Sequence, residues 1–306
     1  MSRSCCWLLL QVLFAVAVAS APASAQVLPF TQHENIVYAE IHGVGLLMDV
    51  FTPQGEKNGL GIIDVISGSW HSDRGKVRDH LRVQTFHILC RKGYTVFAIR
   101  PGSMTKFSAP EMLSHLNQGI RWVKEHAPEY GIDPERLGLM GASAGGHLAC
   151  LAAVTAEDGP VDPSNGSPGI STRVKATAVF FPPTDFLMYG DKRIDVHVDD
   201  RLGQLVRRLA FTHGLRNETA DEVTQLVTQI SPARLVTVQA PPFLLIHGDA
   251  DPIVPLQQSE TMYDSLKRAG VSADLIVKKG GGHPWLTMHE EVQIMADWFD
   301  QQLAKP

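Results

Sequence analysis

Short, largely unbroken apolar runs rich in β-branched residues alternate along this chain with longer stretches whose apolar residues recur at helical spacing. The runs are residues 61–66, 95–99, 137–140, 176–181, 242–247 and 274–278. A strand with one wet face alternates polar and apolar side chains; a continuous run needs cover on both faces, as in a parallel sheet. The intervening stripes offer that cover. Residues 77–90 carry apolar side chains at 77, 81, 86, 89 and 90. A helix opened by Pro110 carries them at 112, 113, 116, 120 and 123, and closes before Pro128 and the turn at 130–134. Residues 145–154 read as a small-residue helix, and a last helix runs from about 290 to 303. Near the start, 36–41 and 46–51 read as a strand pair joined by a turn containing Gly43. The expected fold class is α/β: a mostly parallel, doubly wound sheet with helices on both faces.

Two segments break the rhythm. Residues 157–170 are rich in Gly, Pro, Ser and Asp and read as a surface loop. Residues 184–236 separate two strands by far more than the usual short connection, and carry helical stretches of their own at 200–210 and 220–227. This reads as a cap insertion, placed where such excursions cover a site.

The first 25 residues stand apart from the alternation. Arg3 is followed by an apolar stretch at 7–19, interrupted only by Gln11, and then by Ser20-Ala21-Pro22-Ala23-Ser24-Ala25. This is the three-part pattern of a signal peptide cleaved after Ala25, and the apolar run is short for a bilayer core of roughly 30 Å. The expected organisation is a signal peptide at 1–25 and one domain at 26–306. The expected destination is periplasmic or secreted, with no membrane association after cleavage. Of the four cysteines, Cys90 and Cys150 would then remain, each in an apolar helical pattern that favours buried free thiols over a disulfide. With 27 Lys+Arg against 32 Asp+Glu, and no basic block, nothing points to nucleic acid.

The strand at 137–140 runs directly into Gly141-Ala142-Ser143-Ala144-Gly145-Gly146-His147 and then into a helix. G-x-S-x-G between a strand and a helix is the context of a nucleophile elbow. Glycines permit so tight a turn that the serine projects its hydroxyl, and the helix N-terminus favours developing negative charge. Ser143 is the candidate nucleophile. Its hydroxyl needs a base, and the base an orienting carboxylate, expected after later strands. The strand at 243–246 leads into His247-Gly248-Asp249-Ala250-Asp251-Pro252, and the strand at 275–277 leads into Gly280-Gly281-Gly282-His283-Pro284-Trp285. The order Ser143, Asp251, His283 completes a candidate triad.

On these motifs the chain resembles the α/β-hydrolase superfamily, and within it the esterases grouped with bacterial feruloyl and acetylxylan esterases and hormone-sensitive-lipase-like enzymes. The elbow Gly141–His147 carries the resemblance, together with Gly119-Ile120-Arg121-Trp122-Val123-Lys124 and Tyr130-Gly131-Ile132-Asp133-Pro134-Glu135-Arg136-Leu137. The family's H-G-D-x-D-x-x-V-P pattern implies that Asp251 is the triad acid and that Asp249 stabilises the turn; some relatives place the acid where Asp185 stands. The family's His-Gly-Gly-Gly-Trp is replaced by Ile66-Ser67-Gly68-Ser69-Trp70. Position by position, this puts oxyanion donors on the amides of Gly68 and Ser69, joined by Ala144.

Thirteen histidines make proximity to a motif weak support. His147 reads as packing beneath the elbow, His247 as a satisfied core residue, and His71 as either a surface or a substrate-touching residue. His289 is a rival base without the glycine-rich approach of His283. No H-E-x-x-H or C-x-x-C spacing suggests a metal, and no cofactor is expected. Trp70 and Trp285 flank the two site loops as candidate substrate-binding residues or ordinary packing. The expected function is an exported serine carboxylic-ester hydrolase acting on small-molecule or carbohydrate esters, with short acyl groups such as acetyl or feruloylated and acetylated sugars in view. A serine peptidase of oligopeptidase type, or a non-catalytic binding protein of the same fold, are the competing readings.

Overall fold

The structure, a computed structural model, describes residues 28–159, 169–211 and 214–304. The expected signal peptide lies outside the described residues, as does most of the expected loop at 157–170. The described order is β1 (Phe30–Ile41), β2 (Val44–Pro53), β3 (Gly61–Val65), α1 (Arg74–Arg82), α2 (Thr85–Arg91), β4 (Thr95–Arg100), α3 (Ala109–Glu125), α4 (Ala127–Tyr130), β5 (Leu137–Ala142), α5 (Ala144–Val154) and β6 (Ala176–Phe180). Then come β7 (Met188–Tyr189), β8 (Lys192–Arg193), α6 (Arg201–Ala210), α7 (Ala220–Gln229), a 3-10 turn (Pro232–Arg234), β9 (Phe243–Gly248), α8 (Gln257–Arg268), β10 (Ala273–Lys278) and α9 (Met288–Leu303).

Eight strands form one sheet in the order β1-β2-β4-β3-β5-β6-β9-β10. The six from β4 to β10 are mutually parallel, and the β1–β2 hairpin adds antiparallel at one edge. The architecture is α/β, and its mostly parallel sheet is covered on both faces. Successive side chains of a strand point to opposite faces, and the core divides accordingly. Ile63, Val65, Phe97, Ile99, Leu139 and Leu245 meet α3, α5, α8 and the insertion. Ile62, Ile66, Val96, Ala98, Met140 and Ile246 meet α1, α2 and α9. Cys90 and Cys150 are buried free thiols in these two different layers.

Two helical readings need correction. The stripe at 77–90 is two helices, because Gln84 adopts a left-handed conformation (φ 61°, ψ 19°) that ends one and starts the next. The sequence reading missed α8, whose inward face includes buried Gln258 and Ser259 among its apolar residues, so the apolar stripe is broken. The insertion at 184–236 does not form a separate core. Phe186, Val196, Val206, Leu209, Val227 and Ile230 join the main cluster beneath it.

Candidate active site

β5 and α5 meet at Ser143, whose backbone sits at φ 53° and ψ −121°. A serine there carries strain of order 1–3 kcal/mol, which the surroundings must over-determine. They do: the Ser143 amide donates to Phe180 O, the Gly145 amide to Ser67 O and the His147 amide back to Ser143 O, each at 2.9 Å. The approach is close enough that a Cβ on Gly145 would lie 2.2 Å from Val65 O.

The parallel strands β9 and β10 bring two further loops to the same sheet end. Their backbones touch so closely that a Cβ on Gly248 would fall 2.2 Å from Gly281 O. Asp249 Oδ1 accepts from the Gly280 amide at 2.6 Å, pinning the loop that carries His283. The glycine triplet is thus a packing device between two loops. Asp251 Oδ1 accepts from the amides of Ile253 and Val254 at 2.8 and 2.9 Å, leaving Oδ2 2.6 Å from His283 Nδ1. His283 Nε2 stands 2.9 Å from Ser143 Oγ. The three residues picked from three separate strand ends form one continuous hydrogen-bonded row. Burial opposes the charge on Asp251, yet contacts from His247, His283 and the two amides outweigh it and hold its carboxyl well below the usual carboxylate range. The imidazole therefore always faces a charged acceptor at neutral pH.

The other candidates fall elsewhere. Asp185 is held by Arg234 through two 2.8 Å bonds. His247 is fully buried, with Nδ1 on Ser259 Oγ and Nε2 donating to Val254 O. His289 is exposed in the first turn of α9. His71 is half-buried and its backbone closes a bridge with Gly68.

That bridge corrects one expected oxyanion donor. The Gly68 amide donates to His71 O at 2.9 Å, and the His71 amide returns the bond to Gly68 O, so Gly68 is already committed. Ser69 and Trp70 between them sit at φ 48° and 56°. Two central residues with positive φ are the signature of a type I′ turn, one that strongly prefers Asn and Gly. Among the described residues no hydrogen bond engages the amides of Ser69 or Ala144. The Ala144 amide is one of the donors that any helix start leaves without an intrahelical acceptor.

Trp70 is also corrected: it is 6% exposed, packs on Phe186, and donates its indole N–H to His147 Nδ1 at 2.9 Å. It lies under the turn. Trp285 remains half-buried at the rim, donating to Glu291 Oε2 at 2.7 Å. One neighbour of the base was missed. The Phe181 ring centre lies 4.3 Å from that of His283 in a tilted contact and 5.8 Å from that of Trp285, which it meets edge-on. Its only sequence signal is its place between a strand and Pro182-Pro183.

Comparison with known proteins adds independent findings. The chain matches the family model described as BD-FAE over residues 48–266. It is 30% identical over 207 residues, 68% of its length, to the probable carboxylic ester hydrolase LipM of Mycobacterium tuberculosis. It is 28% identical over 69% of its length to the esterase LipQ of the same organism. The chain spans 44% and 46% of those two proteins' own lengths. Among solved structures it is similar to a truncated carbohydrate esterase from gut microbiota, with a TM-score of 0.74 and 26% identity; the match covers 92% of this chain and 99% of that one. An acetyl ester-xyloside bifunctional hydrolase from Caldicellulosiruptor lactoaceticus shares the fold, with a TM-score of 0.66, 22% identity, and coverage of 87% and 95%.

Proposed function

The chain belongs to the BD-FAE family and has the α/β-hydrolase fold, and from that premise we propose that it is a serine carboxylic-ester hydrolase. The observation that carries the reading is the row Asp251–His283–Ser143, with 2.6 and 2.9 Å links and the serine held in a strained elbow. Ser143 Oγ attacks the ester carbonyl while His283 Nε2 takes its proton, and Asp251 orients the imidazole and stabilises its charged form. The amides of Ser69 and Ala144 receive the oxyanion, each donor of this kind being worth roughly 3–4 kcal/mol in comparable sites. His283 returns the proton to the leaving alcohol, then activates water to release the acyl group.

The substrate reading is a short acyl group on a hydrophilic alcohol such as a sugar. Two features support it. The insertion exposes Asp199, Asp200, Arg201 and Arg208, and α6 turns Val206 and Leu209 inward, so its outer surface is not a lipid-facing stripe. A cleft of about 630 Å³ between α6 and the β4–α3 loop is lined by Lys106, Gln204, Arg207 and Asp199 together with Met104 and Phe107. The Met104 amide donates to Trp70 O at 2.8 Å, so one wall of this cleft is bonded to the oxyanion turn. The named carbohydrate esterase among similar structures agrees with that chemistry. The signal-peptide pattern at 1–25 supports export.

Incubation with a fluorophosphonate, followed by peptide mapping, tests the core of the reading. Label is expected on Ser143, and Ser143→Ala should abolish hydrolysis of p-nitrophenyl acetate without loss of fold. Label on another residue, or an active Ser143→Ala enzyme, overturns it.

A further inference from the structure

An oxyanion site of two amides works only if both aim at one point, and here they belong to separate elements. Ser69 lies in the turn after β3, and Ala144 heads α5. The Ser69–Trp70 turn has no glycine at its two left-handed positions, so nothing in its residue types holds it in shape. We propose that His147 is a positioning residue for the oxyanion site: through its bond to Trp70 it clamps the Ser69–Trp70 turn against the head of α5. The inference rests on the esterase reading and deepens it.

The bonding leaves little freedom. Indole N–H can only donate, so His147 Nδ1 must accept, and Nε2 must carry the proton. Nε2 then donates to Ile230 O at 2.8 Å, at the C-terminal end of α7 in the insertion. The imidazole is fully buried, and Trp70 and Phe186 meet it edge-on at 5.6 and 5.0 Å. Its own amide donates to Ser143 O. One neutral ring therefore connects the nucleophile's backbone, the turn bearing the Ser69 amide and the end of the insertion. A buried acceptor and a buried donor, each with one partner, define the ring's angle and with it the position of Trp70. A shift of about 1 Å in a positioned group can cost on the order of a hundredfold in rate.

Two substitutions separate the two bonds. His147→Asn places an oxygen near the Nδ1 position and keeps an acceptor for Trp70. His147→Gln places an amide nitrogen near Nε2, keeps the bond to Ile230 O and loses the acceptor. On p-nitrophenyl acetate, His147→Gln and Trp70→Phe should each lower kcat by about tenfold to a hundredfold, with KM within about twofold. Binding of a phenylboronic acid, which forms a tetrahedral adduct, should weaken by the same factor. The double variant should be no worse than either single one, and His147→Asn should stay within about threefold of the parent. Equal losses in His147→Asn and His147→Gln, losses confined to KM, or losses that merely track thermal stability would overturn the proposal. Amide hydrogen exchange at residues 68–71 reads the turn without a substrate: it should accelerate in His147→Gln and not in His147→Asn, and equal rates overturn the clamp. If the parent protein neither hydrolyses esters nor labels at Ser143, the esterase reading fails, and the exchange measurement still decides the clamp.

Discussion

Asp249 and Asp251 stand two residues apart on one loop, and their oxygens do different work. Asp251 faces the imidazole, whereas Asp249 caps the Gly280 amide and shapes the loop that presents it. Asp251→Asn should lower kcat on the order of 10³–10⁴-fold, through loss of the charge partner and of the correct tautomer. Asp249→Asn should lower the melting temperature with a much smaller effect on kcat. Steady-state kinetics and thermal unfolding of the pair check this, and the reverse pattern would exchange the two roles. His147 allows a second prediction, of opposite sign to the usual histidine case. Burial pushes its pKa down to about 4, against roughly 6.5 for an unfolded histidine, so between those values the unfolded chain binds a proton that the folded one refuses. Stability is therefore lost as pH falls from about 6.5 toward 4, by an amount on the order of 3 kcal/mol, and levels off below. His80 works the other way. Burial resists its charge, but the Asp64 carboxylate at 2.7 Å outweighs this and raises its pKa, so its contribution is complete below about pH 6.5 and fades as pH rises through the folded value. Urea unfolding of the parent and His147→Asn from pH 4 to 7 isolates the first effect: the variant's stability should vary less steeply. Parallel curves would contradict it.

At the scale of elements, the insertion is fastened to the sheet domain by α8. Gln258 Oε1 accepts from the amides of Thr184 and Asp185 at 2.7 and 2.8 Å, while its Nε2 donates to Met188 O. Gln258→Ala leaves buried donors without an acceptor, at about 1–3 kcal/mol for each group. A fall of several degrees in melting temperature is expected by calorimetry, and an unchanged value would show that the bonds are replaced. This helix is also the element that the sequence hid. Its inward positions include glutamine, which bonds to the insertion, and serine, which bonds to His247 of β9, so the apolar period that marks a helix is missing where the polar function is greatest. The break in the stripe at 77–90 was hidden for a related reason: Gln84 has no residue-type preference for the left-handed region that it occupies. The elbow, by contrast, was legible, since Gly141 and Gly145 stand where the chain has no room for a Cβ and Gly146 where one would be tight.

For the whole molecule, the substrate reading becomes a kinetic expectation. With α6 and α7 burying their apolar sides in the core, added methylenes on an acyl chain find no broad apolar surface, and each forgoes about 0.8 kcal/mol of burial. We expect kcat/KM to fall steeply from acetyl and butyryl esters to chains beyond about ten carbons. A preference for long chains with activation at an oil–water interface would refute this. Mass spectrometry of exported protein should find Gln26 at its start, and a terminus retaining Trp7 would refute cleavage. The sequence alone determined the layered α/β architecture, because continuous apolar runs state locally that both faces of a strand are covered. It also determined Ser143, Asp251 and His283 as candidates, because each follows a strand of a parallel sheet, and the C-terminal ends of such strands gather on one side. Only the tertiary structure decided that the Gly68 amide is spent on His71 and that Trp70 lies beneath its turn. It also revealed that His147 joins Trp70, 77 residues earlier, to Ile230, 83 residues later. Those facts depend on which donor and acceptor come within 3 Å after folding. No residue type or local period encodes that distance.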